Sequence, residues 1–320
     1  MRRKVFITGI SGFAGSHLAE YLVSRGNCDI IGTYLSKDSL DNLARVKDAI
    51  SLVKVNLTNE EKVFDLIESL RPDFIFHLAA LPSTADSFKI PAPTIENNVV
   101  AELNLLSAIK DSNLLNTKIL IVSSAEIYGL VKKEDLPIDE ETKLMPTSPY
   151  AVSKITQDFL GLQYCLSYNL KIIRVRPFNH IGPRQSPNFV VADFAKDISE
   201  IEKGKRKPIL HVGNLESKRD FTDVRDMVRA YTIALEKGKF GEVYNIGSGV
   251  SYRISDILRK LILLSKAKIT ILSDKSLFRP IDNPELVCDA SKFKRLTNWK
   301  PEIRLSTTLK DTLDYWRSIV

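Results

Sequence analysis

Lys4-Val5-Phe6-Ile7-Thr8-Gly9-Ile10-Ser11-Gly12-Phe13-Ala14-Gly15 is the stretch that decides the fold of this 320-residue chain. A short apolar run ends in three glycines spaced three apart, and Leu18 and Leu22 then continue at helical spacing. Strand, tight turn and helix in that order bring backbone amides to a helix N-terminus, where an anionic group is favoured by the unpaired N–H groups and the helix dipole. Gly9, Gly12 and Gly15 let the backbone come close to a dinucleotide pyrophosphate, and Ser11 and Phe13 stand in the same turn.

Outward from there the pattern repeats. An apolar segment ends at Tyr34, and another carries Leu52, Val53 and Val55 before Asn56 and Leu57. A helical stretch runs to Leu70, and Phe74-Ile75-Phe76-His77-Leu78-Ala79-Ala80 reads as the next strand with a small-residue exit. Residues 91–110 read as a long helix, residues 119–122 as a strand, and residues 170–175 as a sixth strand. Such alternation predicts a doubly wound parallel α/β sheet, whose ligands lie beyond the carboxyl ends of its strands. Beyond residue 177 the repeat weakens. The expected division is residues 1–177 as mainly the dinucleotide-binding part and 178–320 as mainly a smaller, interleaved mixed α/β substrate region.

Bulk properties are those of a soluble enzyme: 44% hydrophobic, 27% charged, and 46 basic against 39 acidic residues for a net +7. That surplus suits an anionic ligand, but it is scattered and accompanies no nucleic-acid motif. Cys28, Cys165 and Cys288 are far apart and unpaired in spacing, which reads as reduced thiols in a cytoplasmic protein with no metal site. No apolar run reaches membrane-spanning length, so no membrane partner is expected.

The chemistry is carried by Ser148-Pro149-Tyr150-Ala151-Val152-Ser153-Lys154. Ser148 can cap a helix that Pro149 opens, and Tyr150 and Lys154 then share one face, four residues apart. A phenol beside an ammonium is expected to have its pKa lowered, making a proton donor and acceptor usable near neutrality. Taken alone, that spacing is as ordinary as a surface aromatic beside a lysine. Its place after the glycine turn and the strand-end Ser123-Ser124-Ala125-Glu126 segment makes it a site.

The G-x-x-G-x-x-G turn, strand-end serine and Tyr-x-x-x-Lys pair together resemble the extended short-chain dehydrogenase/reductase superfamily, and the resemblance covers essentially the whole chain. It implies a Rossmann-type fold in which Tyr150 exchanges a proton at the carbonyl or alcohol oxygen, Ser124 hydrogen-bonds that oxygen, and Lys154 holds the nicotinamide ribose. It also implies cofactor contacts at Asn56, Leu57, Leu78, Ala79, Ala80 and Asn98. The strand ending at Tyr34 lacks the acidic residue that would hold the 2′-hydroxyl of NAD. Lys37 follows closely, where a cation could meet a 2′-phosphate or simply face solvent; NADP(H) is favoured and NAD(H) possible.

Phe178-Asn179-His180-Ile181-Gly182-Pro183, with Gly213-Asn214-Leu215 before Arg219-Asp220-Phe221, resembles the GDP-mannose branch of the sugar-nucleotide enzymes. That branch implies a GDP-linked deoxyhexose substrate contacted by Asn179, Asn214, Arg219 and Arg279; arginines suit a diphosphate through charge-assisted bonds. The expected reaction is reduction of the C4 keto group of GDP-4-keto-6-deoxy-D-mannose to GDP-D-rhamnose. The alternative is 4,6-dehydration of GDP-mannose, because Glu126 stands where the dehydratases keep an acid/base. Against it, the loop after the second strand is only Leu35-Ser36-Lys37-Asp38. The resemblance further implies a homodimer through helices 91–110 and 149–168.

Overall fold

The computed structural model describes residues 2–278, 281 and 283–320. Arg279, assigned above to the diphosphate, lies outside them. β1 (Arg3–Thr8) runs through the glycine turn into α1 (Phe13–Arg25), followed by β2 (Cys28–Tyr34) and β3 (Ile50–Lys54). Next come α2 (Glu60–Leu70), β4 (Phe74–His77), the one-turn α3 (Thr84–Ser87), the long α4 (Pro91–Asp111) and β5 (Lys118–Val122). α5 (Pro149–Tyr168) and β6 (Lys171–Pro177) close the regular alternation.

The later chain is β7 (Asn179–Ile181), α6 (Val190–Glu202), β8 (Ile209–Val212), β9 (Lys218–Asp223) and α7 (Val224–Lys237). It continues with β10 (Val243–Ile246), β11 (Ser251–Arg253), α8 (Ile254–Leu263), β12 (Thr270–Ser273) and β13 (Glu285–Leu286). α9 (Ser291–Thr297) and α10 (Leu305–Ile319) end it.

Seven strands form one parallel sheet in the order β3-β2-β1-β4-β5-β6-β10. The direction of winding reverses between β1 and β4, which opens a crevice at their carboxyl ends. Helices cover both faces, so the strands are apolar on both sides. Val5 and Ile7 pack with Leu18 and Leu22 of α1 and with Val228 and Tyr231 of α7. Phe6, between them, points the other way and packs with Ile67 of α2, Leu105 of α4 and Tyr164 of α5.

The second body is built around β9, which lies between β11 and β13 and also pairs with β7. Its core joins Phe194 and Ile198 of α6, Ile257 and Leu261 of α8, and Leu313 and Trp316 of α10. The chain does not stay there. β10 returns to the large sheet beside β6, and α7 packs along α1.

Local signals account for the helix that carries Tyr150. Ser148 Oγ accepts the Ala151 amide at 3.0 Å, Pro149 opens the first turn, and Asn169 ends it in the left-handed region at φ 57°. α1 differs: its N-cap is Gly12, which has no side chain with which to cap the first amides.

Candidate active site

A cleft of about 490 Å³ lies at the carboxyl ends of the sheet, with the glycine turn as its floor and Ser124, Glu126, Tyr150 and Lys154 on one wall. Gly9 has φ 68°, and a Cβ there would come within 2.9 Å of the Ala79 Cα. A Cβ on Gly15 would come 2.8 Å from the Ile10 Cα. Both contacts are with backbone and cannot yield, so the turn and the strand behind it require glycine.

A dinucleotide fits this floor. The first-turn amides of α1 have no side-chain cap, and Gly9, Ser11, Gly12, Phe13 and Gly15 all line the cleft. Asn56, Leu57, Leu78, Ala79 and Ala80, expected from the resemblance to meet the cofactor, line the same cleft. The turn after β2 is stapled to the glycine loop: Ser11 Oγ meets Ser39 Oγ at 2.6 Å, and Asn42 donates to the Ser11 carbonyl at 2.9 Å. Ser36 and Ser39 line the cleft there, whereas Lys37 is exposed and outside the lining. Lys37, expected to meet a 2′-phosphate, faces solvent on that turn.

Asn98, expected from the resemblance to meet the cofactor, does not line the cleft. It is fully buried, its side chain accepting the Leu81 amide at 2.7 Å and donating to Ser153 Oγ at 2.9 Å. It ties α4 to α5, and its neighbour Asn97 reaches the cleft.

Tyr150 is buried and hydrogen-bonded to Ser124, whose Oγ also accepts the Glu126 amide at 3.1 Å. Burial pushes the Tyr150 phenol above its ordinary range and the Glu126 charge adds to this, while the Ser124 bond opposes them. The expected lowering by Lys154 is thus overturned. The Lys154 ammonium points elsewhere, donating to the Val122 carbonyl and to Gln157 Oε1, each at 2.8 Å. Burial pulls Lys154 itself down to about 8, and nearby Glu102 resists this.

At the substrate end Asn179 lines the cleft, with His180, Gln185 and Asn188. Arg219 and Asn214 do not. Arg219 is buried and donates to the Lys218 carbonyl at 2.9 Å and the Asn283 carbonyl at 2.8 Å. Asn214 accepts the Glu216 amide at 3.0 Å. Asp220, beside Arg219, takes the amides of Ser248, Gly249 and Cys288 at 2.8–3.1 Å, which pins β9 to the return loop.

Tyr231 went unnoticed in the sequence. It lines the cleft from α7, close enough for Tyr150 to act on its ionisation, and its buried hydroxyl has no hydrogen-bond partner among the described residues. Nothing in Arg229-Ala230-Tyr231-Thr232 marks it, since only the return of α7 over the large sheet brings it there.

The fold and the wall of Ser124, Tyr150 and Lys154 over a glycine turn define a short-chain type of nicotinamide-dinucleotide oxidoreductase. The comparisons narrow this. Residues 6–312 match the GDP-mannose 4,6 dehydratase family, and the chain belongs to it. It is 33% identical, over its whole length and 99% of the relative's, to GDP-6-deoxy-D-mannose reductase of Pseudomonas aeruginosa. Against GDP-mannose 4,6-dehydratase of Vibrio cholerae the identity is 27%, over 95% of this chain and 91% of the relative. The solved structure of RMD from Pseudomonas aeruginosa complexed with NADPH superposes with a TM-score of 0.85 at 31% identity, covering 99% of this chain and 100% of that one. The sugar-nucleotide dehydratases, reductases and epimerases are the company in which this enzyme stands.

Proposed function

We propose that this enzyme reduces the C4 keto group of GDP-4-keto-6-deoxy-D-mannose to GDP-6-deoxy-D-mannose (GDP-D-rhamnose), with NADPH favoured and NADH possible as donor. The observation that carries the reading is the buried Ser124–Tyr150 pair on the cleft wall. It stands in a chain matched end to end by a GDP-6-deoxy-D-mannose reductase.

The bound nicotinamide would supply hydride to C4; the protein's part is position and the proton. The raised Tyr150 pKa keeps its hydroxyl loaded at neutral pH, the form needed to protonate the oxygen at C4. Ser124, with its Oγ already accepting the Glu126 amide, has its hydroxyl proton to offer the same oxygen. Lys154, on the same wall, would hold the nicotinamide ribose. Gly9, Ser11, Gly12, Phe13 and Gly15 would take the pyrophosphate, Asn56 and Leu57 the adenine, and Leu78, Ala79 and Ala80 the passage between. Asn179 would meet the sugar nucleotide. Ser36 and Ser39 offer hydroxyls where a 2′-phosphate would lie, with Lys37 as an outer charge on the same turn.

The second reading, dehydration of GDP-mannose, is favoured by Glu126, which lines the same wall close enough to Tyr150 to act on its ionisation. The two separate cleanly in anaerobic mixing with each substrate. The reductase consumes one NADPH per GDP-4-keto-6-deoxymannose; the dehydratase turns GDP-mannose into the keto sugar with no net change at the reduced nicotinamide band.

The assembly is a homodimer in this reading, with the outer faces of α4 and α5 meeting their copies. Ile95 and Leu103 on α4, and Val152, Phe159 and Leu166 on α5, are large apolar side chains left in solvent on those helices.

A further inference from the structure

Tyr231 puts a polar group on the cleft that no step of the proposed reaction uses. The residue is fully buried, and its hydroxyl has no hydrogen-bond partner among the described residues. Buried tyrosines ordinarily find a partner for the O–H, because an unmet buried hydroxyl is costly. Among the described residues, one other side chain lining the cleft has a buried polar atom left unmet, Gln185 through its Oε1. Gln185 is anchored by its other end, whose Nε2 donates to the His180 carbonyl at 2.9 Å.

The position of Tyr231 on α7 carries its side chain towards the cleft. Val224 opens α7 beside the glycine turn: a Cβ on Gly182 would come within 2.8 Å of Val224 Cγ1 and 3.9 Å of Phe13 Cε2. Tyr231 follows seven residues later on the same helical face, and side chains on a helix lean back towards its N-terminus. Its ring belongs to the core that includes Val122 of β5 and Val175 of β6. Val55 and Leu57, beyond the edge strand β3, belong to the opposite core. Val122, Ser123 and Ser124 at the end of β5, and Pro177 and Phe178 at the end of β6, line the cleft with Tyr231. The hydroxyl therefore serves the end of the cleft that holds Ser124 and Tyr150.

In the proposed reaction that end holds the redox ring of the dinucleotide, because Ser124 and Tyr150 fix where the reacting oxygen lies. The ring carries an uncharged carboxamide, whose carbonyl accepts a hydrogen bond. Burial pushes the Tyr231 phenol above its ordinary range and the Tyr150 charge adds to this, so the hydroxyl keeps its proton and is a donor. We propose that Tyr231 is a cofactor contact: its hydroxyl donates to the nicotinamide carboxamide and holds that ring, and not the adenosine half, at the reaction wall. The inference rests on the dinucleotide reading above.

The test compares the parent with Tyr231→Phe, which keeps the ring and its packing and removes the hydroxyl alone. Calorimetry measures the binding of NADPH and of 2′-phospho-ADP-ribose, which has the same adenosine and pyrophosphate but no nicotinamide. NADH and ADP-ribose form a second pair, and thermal unfolding without ligand is followed alongside. The expected result is dinucleotide bound about three- to tenfold more weakly, the worth of one neutral hydrogen bond, with the fragment within about twofold of the parent. The ligand-free melting temperature should hold or rise, since an unmet buried hydroxyl is gone. Equal dinucleotide affinity in the two proteins, or an equal loss for dinucleotide and fragment, overturns the proposal. A lower ligand-free melting temperature overturns it too, by showing the hydroxyl satisfied inside the fold. A raised KM for the keto sugar at unchanged dinucleotide affinity would assign the hydroxyl to the substrate and overturn it as well. A parent that binds neither NADPH nor NADH overturns the dinucleotide reading itself, and is distinguished by that.

Discussion

Tyr150 is held protonated by burial and offered to the cleft beside Ser124, so its loss should be felt in chemistry and not in binding. Tyr150→Phe keeps the ring and its packing and removes only the hydroxyl. Turnover is expected to fall by about 10²- to 10⁴-fold, the usual worth of a positioned acid. NADPH affinity, measured by fluorescence titration, should stay within a few-fold. Turnover close to the parent's would remove Tyr150 from the mechanism. This residue was legible in the sequence because its signal is local: a cap, a proline and a four-residue spacing determine which side chains share a face. Its ionisation was not. The spacing suggested that Lys154 would lower the phenol's pKa, but the ammonium is committed to Val122 and Gln157, contacts made between elements far apart in the chain.

At the scale of elements, α4 and α5 divide their faces between inside and outside. Inward, Asn98 and Glu102, one helical turn apart, face Ser153 and Gln157, also one turn apart. Outward, Val152, Phe159 and Leu166 recur every seven residues along α5, and Leu166 is 72% exposed. A helix stripe of that kind is a liability in water unless covered, and in the proposed dimer a second copy would cover it symmetrically. Sedimentation velocity should show a dimer for the parent and a monomer for Phe159→Glu/Leu166→Glu. A monomeric parent contradicts the assembly. The extent of both helices was readable from periodicity to within a residue at the N-terminal ends, since Pro91 and Pro149 each open one. The smaller interleaved region after residue 177 was expected, but not its pairing: β9 joins strands from three other segments, and no local pattern announces that.

For the whole molecule, the buried imidazoles set the acid limit. His17 is held neutral between Pro183 and Arg184, and burial with the Arg184 charge pulls its pKa from 6.5 to about 4. The unfolded chain takes up that proton as pH falls through 6.5, the folded chain only near 4, so stability is lost across this window. Asp193 works the other way: its carboxyl, pushed up to about 6 by burial, takes a proton in the folded state first and offsets part of the loss. His17→Gln should therefore lose about 2 kcal/mol less than the parent between pH 7 and 5, as read from urea unfolding at both values. An equal loss in both proteins would place the acid sensitivity elsewhere.

The most direct test of the whole account follows an atom. NADPH deuterated at the nicotinamide C4 in the transferable position is mixed with GDP-4-keto-6-deoxymannose, and the product is read by NMR. The account predicts one deuteron at C4 of a GDP-6-deoxyhexose for each NADPH oxidised. A product without label, or GDP-mannose dehydrated with no net oxidation while the keto sugar is left untouched, would contradict it.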